Sequence, residues 1–400
     1  GDGGERTAVV MLFDGFAPRY IERFPTPTFD RLQREGAWTH RMDPAFPTVS
    51  LINGVTISTG CWPANHGIVS NVFLDPERGR YDHSSDSDWL TGCEHMHQAA
   101  ERQGVQTAVL GWYGHHSATR GAQSSYVPPG ETRFEDFPDD KGRGDQLVAQ
   151  IARPPHERPR LILAYFRGPD RAGHFDGMDA ESTRAAVAEA DAIVGRVLGS
   201  IDAQPDADRI QMIVTTDHGM VPAKRLVNIA RILRRHDVPA RATSSGTTSF
   251  LYFDDPSAVA PAFEKLSEYT EFDVVRRDAQ PPDWHLGTGP RVGDLVVSAH
   301  PPYFIEDASR WPFFLRWLGT VGPDFLDARG ALKATHGYPT GTPGVEGILY
   351  ARGSAFAAGR EVGRVRAIDI HPTVMEILDL QPGHPIDGAS ATDLRAQEVR

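Results

Sequence analysis

Along this chain, short all-apolar runs rich in β-branched residues alternate with segments whose apolar positions recur at helical spacing. That alternation is the signature of a parallel sheet covered by helices on both faces. The first run is TAVVMLF, Thr7 to Phe13, ending at Asp14. Similar runs begin at Thr107 (TAVLGWY), Leu161 (LILAYF), Ile210 (IQMIVTT) and Gly347 (GILYA). Helical spacing marks 26–36 with a glycine stop, 85–104 and 179–201, and a last helix is expected in AIDIHPTVMEILDL. The expectation is an α/β fold built on a doubly wound, mostly parallel sheet.

From about Ser245 to His300 the texture changes. TSFLYF, FDVVRR and DLVVSA are short strands separated by Pro, Asp and Gly, and they read as a small mixed or antiparallel insertion. The aromatic and proline-rich stretch from Pro301 to Arg329 reads as a loop-rich cover. The pattern is that of one catalytic domain over 1–400, interrupted by an insertion and cover region at 240–330.

Composition narrows the function classes. A formal charge of −12 with no basic block argues against a nucleic-acid scaffold or anionic membrane surface as partner. No apolar run approaches the roughly 20 residues of a membrane span. The opening GDGGERTAVVML lacks an initiator methionine, which suggests a trimmed start and a secreted or periplasmic protein, with a cytoplasmic one still open. Cys61 and Cys93 are the only cysteines, so a disulfide and two buried free thiols are both open, and a thiolate zinc site is disfavoured.

The chemistry gathers at strand ends, where ligands bind in sheets of this kind. Asp14 ends the first strand, Asp170 and His174 follow LILAYF in FRGPDRAGHFDG, Asp217 and His218 end IQMIVTTDHGM, and His336 lies in KATHGYPTG. Singly, each has a bland reading: an Asp before Gly is a common turn or capping residue, and HGY alone says little. Together, three Asp and three His at four strand-end positions suit imidazole and carboxylate ligation of two divalent cations, zinc foremost, with manganese or iron as competitors. Ser50, in the turn-like stretch FPTVSLINGVTISTG, has no histidine within the ten residues after it, so a cation is the activator its hydroxyl needs as a nucleophile.

These segments resemble the alkaline phosphatase superfamily, most closely its nucleotide pyrophosphatase/phosphodiesterase branch. The matching pieces are VVMLFDGF, FPTVSLINGVTISTG followed by CWPANHGIVSN, PDRAGH, TTDHGM, THGY and the closing AIDIHPTVMEILDL…PIDG. The resemblance implies one metal site of Asp14, Asp217, His218 and the Ser50 oxygen, and another of Asp170, His174 and His336. It also implies attack by Ser50 on phosphorus, a covalent phosphoseryl-type intermediate, and an oxyanion-binding role for Asn53 with a backbone N–H.

The chain departs from the family at the nucleophile. Where relatives carry Thr, an aromatic, Pro, Asn and His, this one carries Ser50, Leu51, Ile52, Asn53 and Gly54. Leu51, at the position that would pack on a nucleotide base, weakens the inference to nucleotides. The expected substrate is a small-molecule phosphate ester, a phosphodiester or pyrophosphate by family default. A phosphomonoesterase, for instance on an amino-sugar phosphate or a nucleotide, and a phosphonate hydrolase are the alternatives, and a noncatalytic metal-binding protein is disfavoured. His66 is expected in turn packing, EHMH (94–97) and GHH (114–116) as exposed or outer histidines, and YDHSSDSDW (81–89) as a cap for the following helix. Trp112 and Tyr113 are expected in the core by default, with the substrate wall as the alternative.

Overall fold

The computed structural model describes residues 5–82, 84–85, 89–113, 122–131, 136, 138–305, 321–327 and 332–396. GHH, part of YDHSSDSDW and most of the cover region therefore lie outside the described residues.

All seven residues of Thr7–Phe13 are buried, which is possible only for a strand covered on both faces. Its side chains alternate between two cores. Ala8, Val10 and Leu12 join Ile52, Val55, Met96 and Val374, whereas Val9, Met11 and Phe13 join Leu32, Leu147, Val187 and Val194. The strand lies between the parallel strands Leu161–Phe166 and Ile210–Thr215, and Thr107–Leu110 extends the sheet beyond the former.

On the other side Gly347–Arg352 runs antiparallel, followed by Ala37–Asp43, which the sequence pattern did not reveal. The sheet is thus α/β and mostly parallel, with helices Pro27–Glu35, Asp140–Ile151 and Glu181–Asp202 on one face and Ser50–Thr59, Met96–Arg102 and Ile370–Ile377 on the other. Ala240–Ser245, Thr248–Phe253, Leu295–Ala299 and Phe272–Arg276 form a separate antiparallel sheet, in that order, with its own apolar core.

Two local expectations are corrected. Ser50 is not in a turn but opens the ten-residue helix Ser50–Thr59. The helix expected over 85–104 spans only Met96–Arg102, because Thr91 and Gly92 give their backbone N–H groups to His66 and Asn65 carbonyls and Trp89 packs against Phe73 and Tyr81. Its cap is a reciprocal His95–Gln98 box, and the capping expected of YDHSSDSDW falls partly outside the described residues.

Candidate active site

Each candidate ligand sits on a short, tethered segment. Asp14 leaves Thr7–Phe13, with its N–H bonded to the Phe166 carbonyl at 3.0 Å. Gly15 turns the chain at φ +63°, donating its N–H to Asp217 Oδ1 at 3.0 Å. A Cβ there would sit 2.7 Å from Asp170 Oδ1, so any other residue would intrude on the ligands. Asp170 and His174 lie one turn apart on the helix Asp170–Phe175, which puts both on one face. Asp217 and His218 follow Ile210–Thr215, and His336 follows Ala334–Thr335, a short strand paired with Val221–Pro222.

The six side chains converge. His218 Nε2 lies 3.3 Å from Asp14 Oδ1 and 3.6 Å from Asp217 Oδ1. His174 Nε2 and His336 Nε2 lie 3.3 Å and 3.6 Å from Asp170 Oδ1. Asp170 links two candidate ligand groups, one with His174 and His336 and the other with Asp14 and His218. Ser50 Oγ is 3.3 Å from Asp14 Oδ1 and 3.0 Å from His218 Nε2. An imidazole that local sequence did not offer therefore arrives from a residue 168 positions away.

The donor set fits cations. The three imidazoles meet backbone carbonyls through Nδ1: His174 that of Ala334 at 2.8 Å, His218 that of Gly219 at 2.8 Å and His336 that of Thr48 at 2.9 Å. Each Nδ1 must carry the proton, which aims an Nε2 lone pair inward. His336 Nε2 and His174 Nε2 then face each other at 3.1 Å, a repulsive approach unless positive charge lies between or beside them. Among the described residues, the buried Asp170 Oδ1 and Asp217 Oδ2 have no hydrogen-bond donor, as expected of carboxylate oxygens facing a cation.

Charge states follow from crowding. Burial, then the neighbouring Asp14 charge, pushes the Asp217 carboxyl up. Burial opposes a charged Asp170, yet His174 beside it holds that carboxyl well below the usual range. Burial lowers His336, and His218 and His174 lower it further. Carboxylates and imidazoles in this proximity compete for protons that cations would replace.

Other expected site residues are placed differently. Asn53 is fully buried. Its Nδ2 donates to the Ala45 and Val49 carbonyls at 3.0 and 3.1 Å, and its Oδ1 accepts from Ala45 N–H at 2.7 Å. Both amide protons are spent inside the fold, so the oxyanion role expected of Asn53 is not met. Leu51 keeps only 7 % of its surface exposed and packs in the core, so it offers a ligand little side chain. Its N–H donates instead to Asn71 Oδ1 at 3.0 Å, which sets the half-buried Asn71 carboxamide against the first turn of the Ser50 helix.

Asn71 lies in the NHGIVSN segment with nothing local to mark it, and the same holds for Tyr165 inside its strand, whose hydroxyl donates to Asp14 Oδ2 at 2.6 Å. Tyr113 donates to the same oxygen at 3.1 Å, while Trp112 is core. His66 is buried at the end of the short helix Pro63–His66, bonded to Thr56 and accepting from Ile68 N–H. The histidines of EHMH are not exposed: His95 and His97 are fully buried, and His95 meets the Ser58 hydroxyl at 2.6 Å. Cys61 and Cys93 form a disulfide.

Carboxylates and imidazoles on loops at the carboxyl ends of a mostly parallel sheet, ringing a helix-borne hydroxyl, define an alkaline phosphatase-like hydrolase. The chain belongs to the type I phosphodiesterase / nucleotide pyrophosphatase family, whose sequence model matches residues 8–339, and is an enzyme of the phosphoric ester hydrolase class. It is 26% identical to an uncharacterized pyrophosphatase/phosphodiesterase of Schizosaccharomyces pombe, over 96% of this chain and 79% of that one. It is 23% identical to human ectonucleotide pyrophosphatase/phosphodiesterase family member 7, over 98% of this chain and 83% of the relative. In fold it matches murine ectonucleotide pyrophosphatase/phosphodiesterase 5, solved as an inactive variant with AMP, with a TM-score of 0.84 at 20% identity, covering 98% of this chain and all of that one.

Proposed function

We propose that this enzyme hydrolyses small-molecule phosphodiesters or pyrophosphates with Ser50 as nucleophile and two divalent cations, zinc by preference. The observation that carries the reading is the Ser50 hydroxyl, 3.0 Å from His218 Nε2 and 3.3 Å from Asp14 Oδ1 within the ring of six ligands. Asp14, Asp217, His218 and Ser50 would hold one cation, and Asp170, His174 and His336 the other. When bound, the cations supply positive charge that acidifies the serine hydroxyl and offsets charge on the transferring phosphoryl group.

Ser50 also sits at the positive end of its helix, which favours an anion there. Its oxygen attacks phosphorus, the alcohol or phosphate departs, and water then cleaves the seryl ester and restores the hydroxyl. The oxyanion role passes from Asn53 to Asn71, whose carboxamide stands at that helix start. Relatives named as pyrophosphatases/phosphodiesterases support a nucleotide-type ester as substrate. We further take 240–330 as an insertion within one catalytic domain, and the disulfide as support for a secreted or periplasmic setting.

The test is metal analysis of purified protein with rates on bis-p-nitrophenyl phosphate, before and after a chelator. Expected are about two zinc ions per chain, activity lost on chelation and restored by zinc, and a Ser50→Ala variant inactive by more than about a thousandfold yet still metal-loaded. An active Ser50→Ala protein, or an inert metal-free one, would refute the proposal. A higher kcat/KM on p-nitrophenyl phosphate would turn it towards a monoesterase.

A further inference from the structure

Asp14 uses its two oxygens differently. Oδ1 faces Ser50 Oγ and His218 Nε2, each at 3.3 Å, whereas Oδ2 accepts from the Tyr165 hydroxyl at 2.6 Å and the Tyr113 hydroxyl at 3.1 Å. Both tyrosines are buried, their rings edge to face at 5.0 Å. They come from separate places, Tyr165 from within Leu161–Phe166 and Tyr113 from the segment after Thr107–Leu110.

Tyr113 reaches Asp14 across Gly54. A Cβ on Gly54 would lie 1.8 Å from Tyr113 Cδ2, so the aromatic ring occupies the space a side chain would need. The neighbouring Trp112 Nε1 donates to the Gly54 carbonyl at 3.0 Å, fixing the two segments together. Gly54 is thus the counterpart of Tyr113: only a residue without a side chain leaves room for the ring.

We propose that Tyr113 and Tyr165 clamp Oδ2 of Asp14, restricting that carboxylate to ligation through Oδ1, and that Gly54 admits the Tyr113 half of the clamp. Asp14 sits on a single rotatable arm beside a glycine turn. Two donors on one oxygen hold the carboxylate plane, so Oδ1 stays aimed between Ser50 and His218 and the carboxylate does not swing to offer both oxygens to the cation. Outer groups that orient a ligand in this way typically change metal affinity or activity 10- to 100-fold when removed. Tyr113 and Tyr165 are positioning residues on this account. The inference rests on Asp14 being a cation ligand.

The experiment uses full-length zinc-loaded protein. Tyr113→Phe keeps the ring against Gly54 and deletes only the hydroxyl. Expected are a kcat on bis-p-nitrophenyl phosphate about tenfold or more lower with KM unchanged, a zinc affinity about tenfold lower in chelator competition, and a cation-free melting temperature within a few degrees of wild type. Tyr165→Phe should do the same. Gly54→Ala, which drives the Tyr113 ring aside while leaving its hydroxyl, should reproduce the Tyr113→Phe loss.

Wild-type kcat and zinc affinity in Tyr113→Phe overturn the clamp. So does a loss of activity matched by a large fall in the cation-free melting temperature, which would assign Tyr113 to packing. Asp14→Asn separates the levels. If it keeps its full zinc, the ligand reading fails and the clamp with it. If it loses zinc while both Phe variants stay unchanged, the clamp alone fails.

Discussion

Asn53 and Asn71 have the same side chain and lie only 18 residues apart, yet their surroundings differ. Asn53 ties its own helix to the Ala45–Val49 segment with three hydrogen bonds, and Asn71 presents its carboxamide where that helix begins. Asn71→Ala should therefore lower kcat about 100- to 1,000-fold, the usual effect of losing an oxyanion donor, with little change in melting temperature. Asn53→Ala should instead cost about 1–3 kcal/mol of stability by stranding buried partners, read by urea titration, with the kcat of the remaining folded fraction retained. Reversed results would return the oxyanion role to Asn53. Residue type and spacing alone did not separate the two, because the distinction lies in which protons are already spent.

Strands were the most legible elements, since a fully apolar run buried on both faces carries its own signal, and Thr7–Phe13 and Leu161–Phe166 were read to the residue. Ala37–Asp43, AWTHRMD, was missed because it lies towards the sheet edge with polar residues on one face. Asp140–Ile151 was missed because Gly142 and Gly144 blur helical propensity in its first half. The helix Ser50–Thr59 looked like a turn for the same reason, with Asn53 and Gly54 inside it, and it is stabilised by tertiary burial.

At the far end of that helix, Gly60 and Cys61 lead into the disulfide with Cys93, closing a loop of 32 residues. Cys61→Ser should cost roughly 3–4 kcal/mol on loop-entropy grounds, measured by urea unfolding. Because the helix sets its far end, Thr59, about 14 Å along the axis from Ser50, and Cys61 follows beyond it, kcat at 25 °C should hold. A variant as stable as wild type would remove the disulfide from the stabilising elements.

At the scale of the molecule, buried histidines outside the ligand ring set an acid limit. Burial pushes His66 down to about 3, with His95 nearby adding to it, and pushes His95 down to about 3 with His371 and His384. His371 is held at about 4, burial outweighing its bond to the Ser58 carbonyl. Their folded values lie below the ordinary histidine value near 6.5, so the unfolded chain takes up protons first as pH falls. Stability should be full above about pH 6.5 and decline towards pH 4, each group costing up to about 1.4 kcal/mol per pH unit. Urea midpoints of chelator-treated protein from pH 7.5 to 5 would show it, and His371→Asn should flatten the slope. A midpoint that does not move over this range would contradict the assignment.

The alternating pattern by itself determined a two-faced parallel sheet, and the short polar motifs after its strands determined which donor types stood at one end of it. Those facts are local, because burial on both faces and the loop after a strand are written in consecutive residues. Only the tertiary structure decided that Asp170 links both candidate ligand groups, that His218 reaches Ser50, that the Asn53 amide is spent and that Tyr113 and Tyr165 donate to Asp14. Each of those depends on distances between side chains far apart along the chain, and such distances are set by packing, not by any window of sequence.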